Sequence, residues 1–191
     1  MRRRISAKIL LALGVLVTVY SCHQSDYAKL EKAELAKGVK YDSLFHGIQF
    51  GQSKKVFYDI CWEKNRQGLF TAGNLKNYVN YTLNGDSSQI KDIEMFFYPE
   101  FDSEEIIIGM DLEYKYKAWA PWNEDLTSAK LLPILKDTLM NWYGGNQFMQ
   151  IEGDESSDPI WVKVDGNRRI AIKAKDEERL QVKMVDLTAD K

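Results

Sequence analysis

The chain has 191 residues, with 26 Lys and Arg against 28 Asp and Glu and a net charge of −2. It is long enough, and at 45% hydrophobic residues apolar enough, to bury a real core as one domain or two small ones without disulfides. Its balance lacks the basic surface that a general phosphate-backbone binder needs, so nucleic acid is not an expected partner.

The chain opens with Arg2, Arg3, Arg4 and Lys8, then runs through twelve mostly apolar residues, "ILLALGVLVTVY", to Ser21 and Cys22 and the polar "HQSD". A charged start, a short apolar middle and a small residue before a cut describe a secretory signal. Twelve residues fall short of the roughly twenty that span a bilayer, which makes a permanent membrane helix the weaker reading. Val19, Tyr20, Ser21 and Cys22 resemble the lipobox of bacterial lipoproteins, although Val replaces the commoner Leu and Tyr20 is bulky for its position. The resemblance covers residues 1–22. It implies that 1–21 are removed and that Cys22 becomes an acylated N-terminus, anchored by several chains where one would hold only marginally. An ordinary cleaved signal with an incidental cysteine is the alternative. The expected location is the outer membrane, facing the periplasm or the cell surface, with the inner membrane or secretion as alternatives.

Removing residues 1–21 also removes four cations. What remains is 22 Lys and Arg against 28 Asp and Glu, a net charge of −6. Such a domain is not drawn to anionic lipid, so the acyl chains must do the anchoring. Only Cys61 is then left. In "FYDICWEKN" it recurs with Phe57, Ile60 and Lys64 at helical spacing, which predicts a small core residue and not a reactive thiol.

Residues 22–43 are expected to form a lipidated tether with a short helix, "SDYAKLEKAELAKG", capped by Ser25 and ended by Gly38, with a thin apolar set of Tyr27, Leu30, Ala33 and Leu35. An extended piece, Leu44 to Phe50, turns at Gly51. Ser53 caps a helix to about Arg66, with Val56, Phe57, Ile60 and Cys61 on one face and Gly68 as its stop. Lys54 and Lys55 in its first turn are either solvated or near an anionic partner. Strands follow: Val79, Tyr81 and Leu83 alternate, "GDSS" (85–88) turns, and Ile93, Met95 and Phe97 alternate. A long run then places Ile106, Ile108, Met110, Leu112, Tyr114 and Tyr116 on one face, with Ile107 on the other. After "AWAPWNEDLTS" a second helix is expected over Ala129 to Tyr143. Leu131, Leu135, Leu139 and Trp142 form its buried face, Pro133 kinks or restarts it, and Gly144 and Gly145 end it. The strands "NQFMQIE", "PIWVKV", "RRIAIKA" and "RLQVKMVDL" complete the chain, the middle two joined by a hairpin at Asp165-Gly166-Asn167.

The expected class is α+β: an antiparallel sheet with helices packed on one face, in two tandem helix-then-four-strand halves, 44–118 and 119–191. Gly51-Gln52-Ser53 at a helix start resembles the Gly-Met-Thr or Gly-Met-Ser of SmpA/OmlA-type envelope lipoproteins, with Gln52 a departure from it. The repeated order also resembles the tandem modules of β-lactamase inhibitor proteins. Both likenesses concern the fold alone.

Catalytic signatures are thin. The two histidines are His23 and His46, no His and Cys pair has metal spacing, and no metal or cofactor is expected. "DESSD" (154–158) reads as a solvated loop without a calcium-loop pattern. Neither Glu104 with Glu105 nor Glu177 with Glu178 forms a catalytic dyad. The unusual stretch is "YKYKAWAPWNEDL". Tyr116, Trp119 and Trp122, with Tyr143, either plug the junction between the halves or present a binding surface. The leading expectation is a non-enzymatic envelope lipoprotein that binds a protein partner or assists assembly. Glycan binding through Trp119, Trp122 and Tyr143 is the second reading, and a hydrolase pairing His46 with a carboxylate is the third.

Overall fold

The computed structural model describes residues 25–73, 77–83, 92–151 and 159–189. Cys22, His23, the turn at 85–88 and the acidic loop 154–158 lie outside the described residues. The elements are α1 (Asp26–Ala36), α2 (Lys54–Arg66), β1 (Phe70–Ala72), β2 (Val79–Leu83), β3 (Ile93–Phe101), β4 (Ile107–Tyr116), α3 (Ser128–Tyr143), β5 (Met149–Ile151), β6 (Ile160–Asp165), β7 (Arg168–Ala174) and β8 (Arg179–Asp186). The protein is α+β. All eight strands form one antiparallel sheet in the order β1-β2-β3-β4-β8-β7-β6-β5. Two four-strand meanders therefore share a single sheet, joined where β4 pairs β8.

The register places one continuous apolar face across the sheet. Met95, Tyr114 and Leu180 stand in line across β3, β4 and β8, as do Phe97, Leu112, Val182 and Ile172. These side chains are buried, and Phe57 of α2 with Leu131, Leu135 and Leu139 of α3 completes the same core. On α2 the apolar stripe is narrower than its spacing predicts. Phe57 is buried and Ile60 and Cys61 are half-buried, whereas Val56 is exposed. Ser53 caps the helix, its hydroxyl accepting the Val56 amide. Lys54 and Lys55 of the first turn pair within the chain, with Glu105 and Asp59 at 2.7 Å, and Lys55 is also largely solvated.

α3 runs unbroken through Pro133. Lacking an N–H, Pro133 only withholds a bond from Ala129, and packing of the leucine stripe carries the helix past it. Trp142, expected on the buried face, is exposed. In β4 the alternation breaks near its start. Glu100 pairs Gly109 while Phe101 pairs Ile107, so Ile108 is an extra residue in a bulge. The slip turns Ile107 into the core and moves Ile108 to the opposite face, the reverse of what strict alternation predicts. A fourth strand of the first meander is β1, which the period-two signal did not mark. The piece at 43–50 is instead a tight loop, with a bridge between Ser43 and Gln49 and a turn in which His46 and Gly47 both have positive φ (51° and 87°).

α1 is docked and lies over the other face of the sheet. Val162 and Val164, which point away from the main core, are buried where α1 crosses β6. Arg169, in register with Val164, donates from Nη1 to the Tyr27 hydroxyl at 3.2 Å.

Candidate binding surface

The aromatic residues singled out by the sequence do not gather into one surface. Tyr116 is buried and Trp119 packs against the core. Tyr143 is pulled inward, its hydroxyl donating to the Leu44 carbonyl at 2.9 Å and its ring lying 4.4 Å below the Arg168 guanidinium. Only Trp122, 85% exposed, faces solvent fully. Tyr116 is thus part of the core, and Trp119 and Tyr143 are half-buried against it.

The exposed aromatics cluster elsewhere, around the β1–β2 edge of the sheet. Tyr58 and Trp62 stand one helical turn apart on the solvent side of α2, with Trp62 69% exposed. Together with Cys61, Phe70, Ala72 and Val79 they line an apolar groove of about 220 Å³. Tyr58 is held in place at its hydroxyl, 3.2 Å from that of Tyr98. Across Phe70 lies a second hollow of about 320 Å³, lined by Leu44, Phe45, His46, Tyr81 and Trp142. The His46 ring stands edge-on to Tyr81 at 4.5 Å and to Phe70 at 5.3 Å, so the two hollows share one aromatic floor.

The backbone beside this floor is an open sheet edge. The Gly73 amide donates to the Tyr78 carbonyl at 2.8 Å, which makes that pair hydrogen-bonded. Alternation then leaves Phe70 with Tyr81, and Ala72 with Val79, as non-bonded pairs, so the N–H and C=O groups of Phe70 and Ala72 point away from β2. Asn65 of α2 covers part of that edge by donating to the Phe70 carbonyl at 2.8 Å. An open strand edge flanked by aromatic hollows can take an extended peptide backbone or stack against a flat ligand.

Among the described residues no Lys, Arg, Asp or Glu lines either hollow. Burial, with Lys64 nearby, lowers the His46 pKa from 6.5, so the ring is uncharged near neutral pH. No carboxylate among the described residues hydrogen-bonds His46. Burial raises the Cys61 thiol to about 11, which makes it a lining group and not a nucleophile. Among the described residues no three His, Cys, Asp or Glu side chains stand close enough to hold a metal ion.

Sequence reasoning passed over Tyr58 and Trp62 because it looked for the core stripe of α2. A readable signal existed: two aromatics at i and i+4 lie outside the Phe57, Ile60 and Cys61 stripe, where a solvated helix face normally carries charge.

A second constellation is buried and polar, at the β6–β7 hairpin. Lys163 and Asp165 pair at 2.6 Å on the core face of β6. Lys163 also donates to the Gly144 carbonyl, and the Asn146 amide donates to Asp165 at 2.7 Å. Asn146 Nδ2 reaches both the Glu34 carboxylate (2.7 Å) and the Val164 carbonyl (2.8 Å). Asn167 Nδ2 donates to Asp42 at 3.0 Å and its Oδ1 accepts the Tyr41 amide at 2.6 Å. Gly166 needs its left-handed φ of 54°, and a Cβ there would lie 2.2 Å from the Val39 carbonyl. These bonds lace α1, the segment 39–43, the end of α3 and the hairpin together, which is a structural task.

Compared with protein-family models, curated proteins and solved structures, the chain matches none. Among the described residues no helix is long and apolar enough to cross a membrane.

Proposed function

We propose that this chain is a membrane-anchored envelope lipoprotein, acylated at Cys22, whose folded part is a non-enzymatic module that binds or helps assemble a protein partner. The lipobox-like Val19-Tyr20-Ser21-Cys22 and the charged, short apolar leader support the anchor. The observation that carries the binding reading is the exposed Tyr58 and Trp62 pair beside the open β1 edge. A rigid aromatic in an apolar hollow is the usual energetic centre of a protein interface, and an adjacent strand edge adds backbone hydrogen bonds. The acidic mature charge points to a partner that is not nucleic acid. The proposed location is the outer membrane.

The test is a photo-crosslinking amino acid at Trp62, with a second copy of the experiment at Trp122, in cells expressing the chain at native level. A discrete protein adduct at Trp62 and none at Trp122 is the expected result. Adducts at neither site, with the protein recovered only as itself, contradict it. Glycan binding is the second reading, favoured by the flat rings of Trp62 and Trp142 on either side of the same floor. It predicts a shift in tryptophan fluorescence with cell-wall fragments that disappears in Trp62→Ala.

A further inference from the structure

The inference rests on acylation of Cys22 and concerns what that anchor does to the domain. α1 begins at Asp26, with Ser25 as its cap, only three positions after Cys22. Successive Cα atoms are 3.8 Å apart, so the Cys22 Cα stands at most about 11 Å from that of Ser25. α1 is not a loose spacer. Near its start Tyr27 accepts a hydrogen bond from Arg169 of β7, and near its end the buried Glu34 accepts the Gly166 amide at 3.1 Å and Asn146 Nδ2 at 2.7 Å. Both ends of the helix are fixed to the β5–β7 side of the sheet. Ser25, Asp26 and Tyr27 face the edge strand β5 across an open hollow of about 480 Å³.

The geometry points to the bilayer surface itself as the partner of the β5 edge: the domain is held close to the lipid headgroups in one orientation, β5 toward the membrane and the β1 edge away from it. A tether of at most about 11 Å keeps the Ser25 end of α1, and the β5 edge that it faces, close to the acylated residue. The net charge of −6 in the mature chain opposes laying a broad face on anionic lipid, so the domain meets the surface by the edge nearest its anchor. Seven strand spacings separate β5 from β1, on the order of 30 Å along the sheet. The aromatic groove is therefore presented outward, where a partner can reach it.

The experiment uses the full chain, expressed with its own leader, purified from envelopes in detergent and checked for acylation by mass. Spin labels are placed at Gln150→Cys on β5 or Thr71→Cys on β1, both exposed positions, in a Cys61→Ala background. Circular dichroism confirms folding. Each protein is reconstituted into phosphatidylethanolamine and phosphatidylglycerol vesicles carrying a nickel-chelating headgroup lipid, and nickel-enhanced relaxation is read. The label at Gln150 is expected to relax several-fold more than the label at Thr71. A flexible Gly/Ser insert of about twelve residues between Gln24 and Ser25 should erase most of the difference. Acylated protein with equal relaxation at both sites, or a difference that survives the insert, overturns the orientation and leaves the anchor standing. Protein that carries no acyl group overturns both.

Discussion

Lys163 Nζ lies 2.6 Å from Asp165 Oδ2 on the core face of β6, with the lysine fully buried and the aspartate almost so. Neither charge can reach bulk water, so each depends on the other and on Gly144 and Asn146 for solvation. Removing one partner strands the other. Lys163→Met and Asp165→Asn are each expected to cost about 3–5 kcal/mol in denaturant unfolding. The double variant should cost less than the two together, with a coupling on the order of 1–3 kcal/mol. Strict additivity would show that the pair does not hold the hairpin.

Glu34 makes folding sensitive to acid. Burial raises its pKa, but hydrogen bonds from Lys37, Asn146 and the Gly166 amide outweigh that and hold the carboxyl below its ordinary 4.5. A group depressed in the folded state contributes stability above its unfolded pKa and loses it as pH falls through the lower folded value. The contribution is thus complete above about pH 4.5 and fades on further acidification. Unfolding curves for Glu34→Gln should show lower stability at pH 7 and a flatter acid limb than the parent. An unchanged acid limb would remove Glu34 from the account.

Cys61 should react slowly. With its thiol raised to about 11, only about one molecule in a thousand is thiolate at pH 8, against about one in ten for an ordinary thiol of pKa 9.0. Iodoacetamide should therefore label the native protein on the order of a hundredfold more slowly than the urea-unfolded chain. Equal rates would show the groove floor to be open and wet.

Trp62→Ala separates binding from stability. The side chain is 69% exposed, so its loss should change folding stability by no more than about 0.5 kcal/mol. With the photo-crosslinking residue moved to Thr71, exposed in the same groove, it should nonetheless abolish the partner adduct or the glycan response, whereas Trp122→Ala leaves both intact. Equal effects from the two variants would shift attention from the groove to the 119–122 corner.

The strands were readable wherever one face meets a core and the other meets solvent. Met110, Leu112, Tyr114 and Tyr116 of β4, and Leu180, Val182 and Met184 of β8, are buried where alternation places them. The Asp165-Gly166-Asn167 hairpin and the Ser53 cap were legible from turn and cap chemistry. What failed did so for local reasons. Ile107 and Ile108 exchange faces at a bulge, which a two-residue period cannot express. α1 carries few apolar residues because it docks through Tyr27 and Glu34 hydrogen bonds, to which a hydrophobic pattern is blind. Tyr116, Trp119 and Trp122 cluster in sequence, but Tyr116 turns inward, Trp119 packs on the core and Trp122 faces solvent, because each sits differently on the chain that leaves β4. Tyr58 and Trp62 sit on α2 and Trp142 on α3, two helices far apart in sequence that the sheet brings to one edge.

The central claim is that this domain hangs from lipid at residue 22. Intact-mass and peptide mass spectrometry of the chain recovered from bacterial envelopes measures that directly. The account predicts a mature N-terminus at Cys22 carrying a thioether diacylglycerol, with residues 1–21 gone and Cys22→Ser releasing the protein from the membrane. An intact Met1 terminus, or an N-terminal cysteine bearing a free thiol in soluble protein, contradicts it.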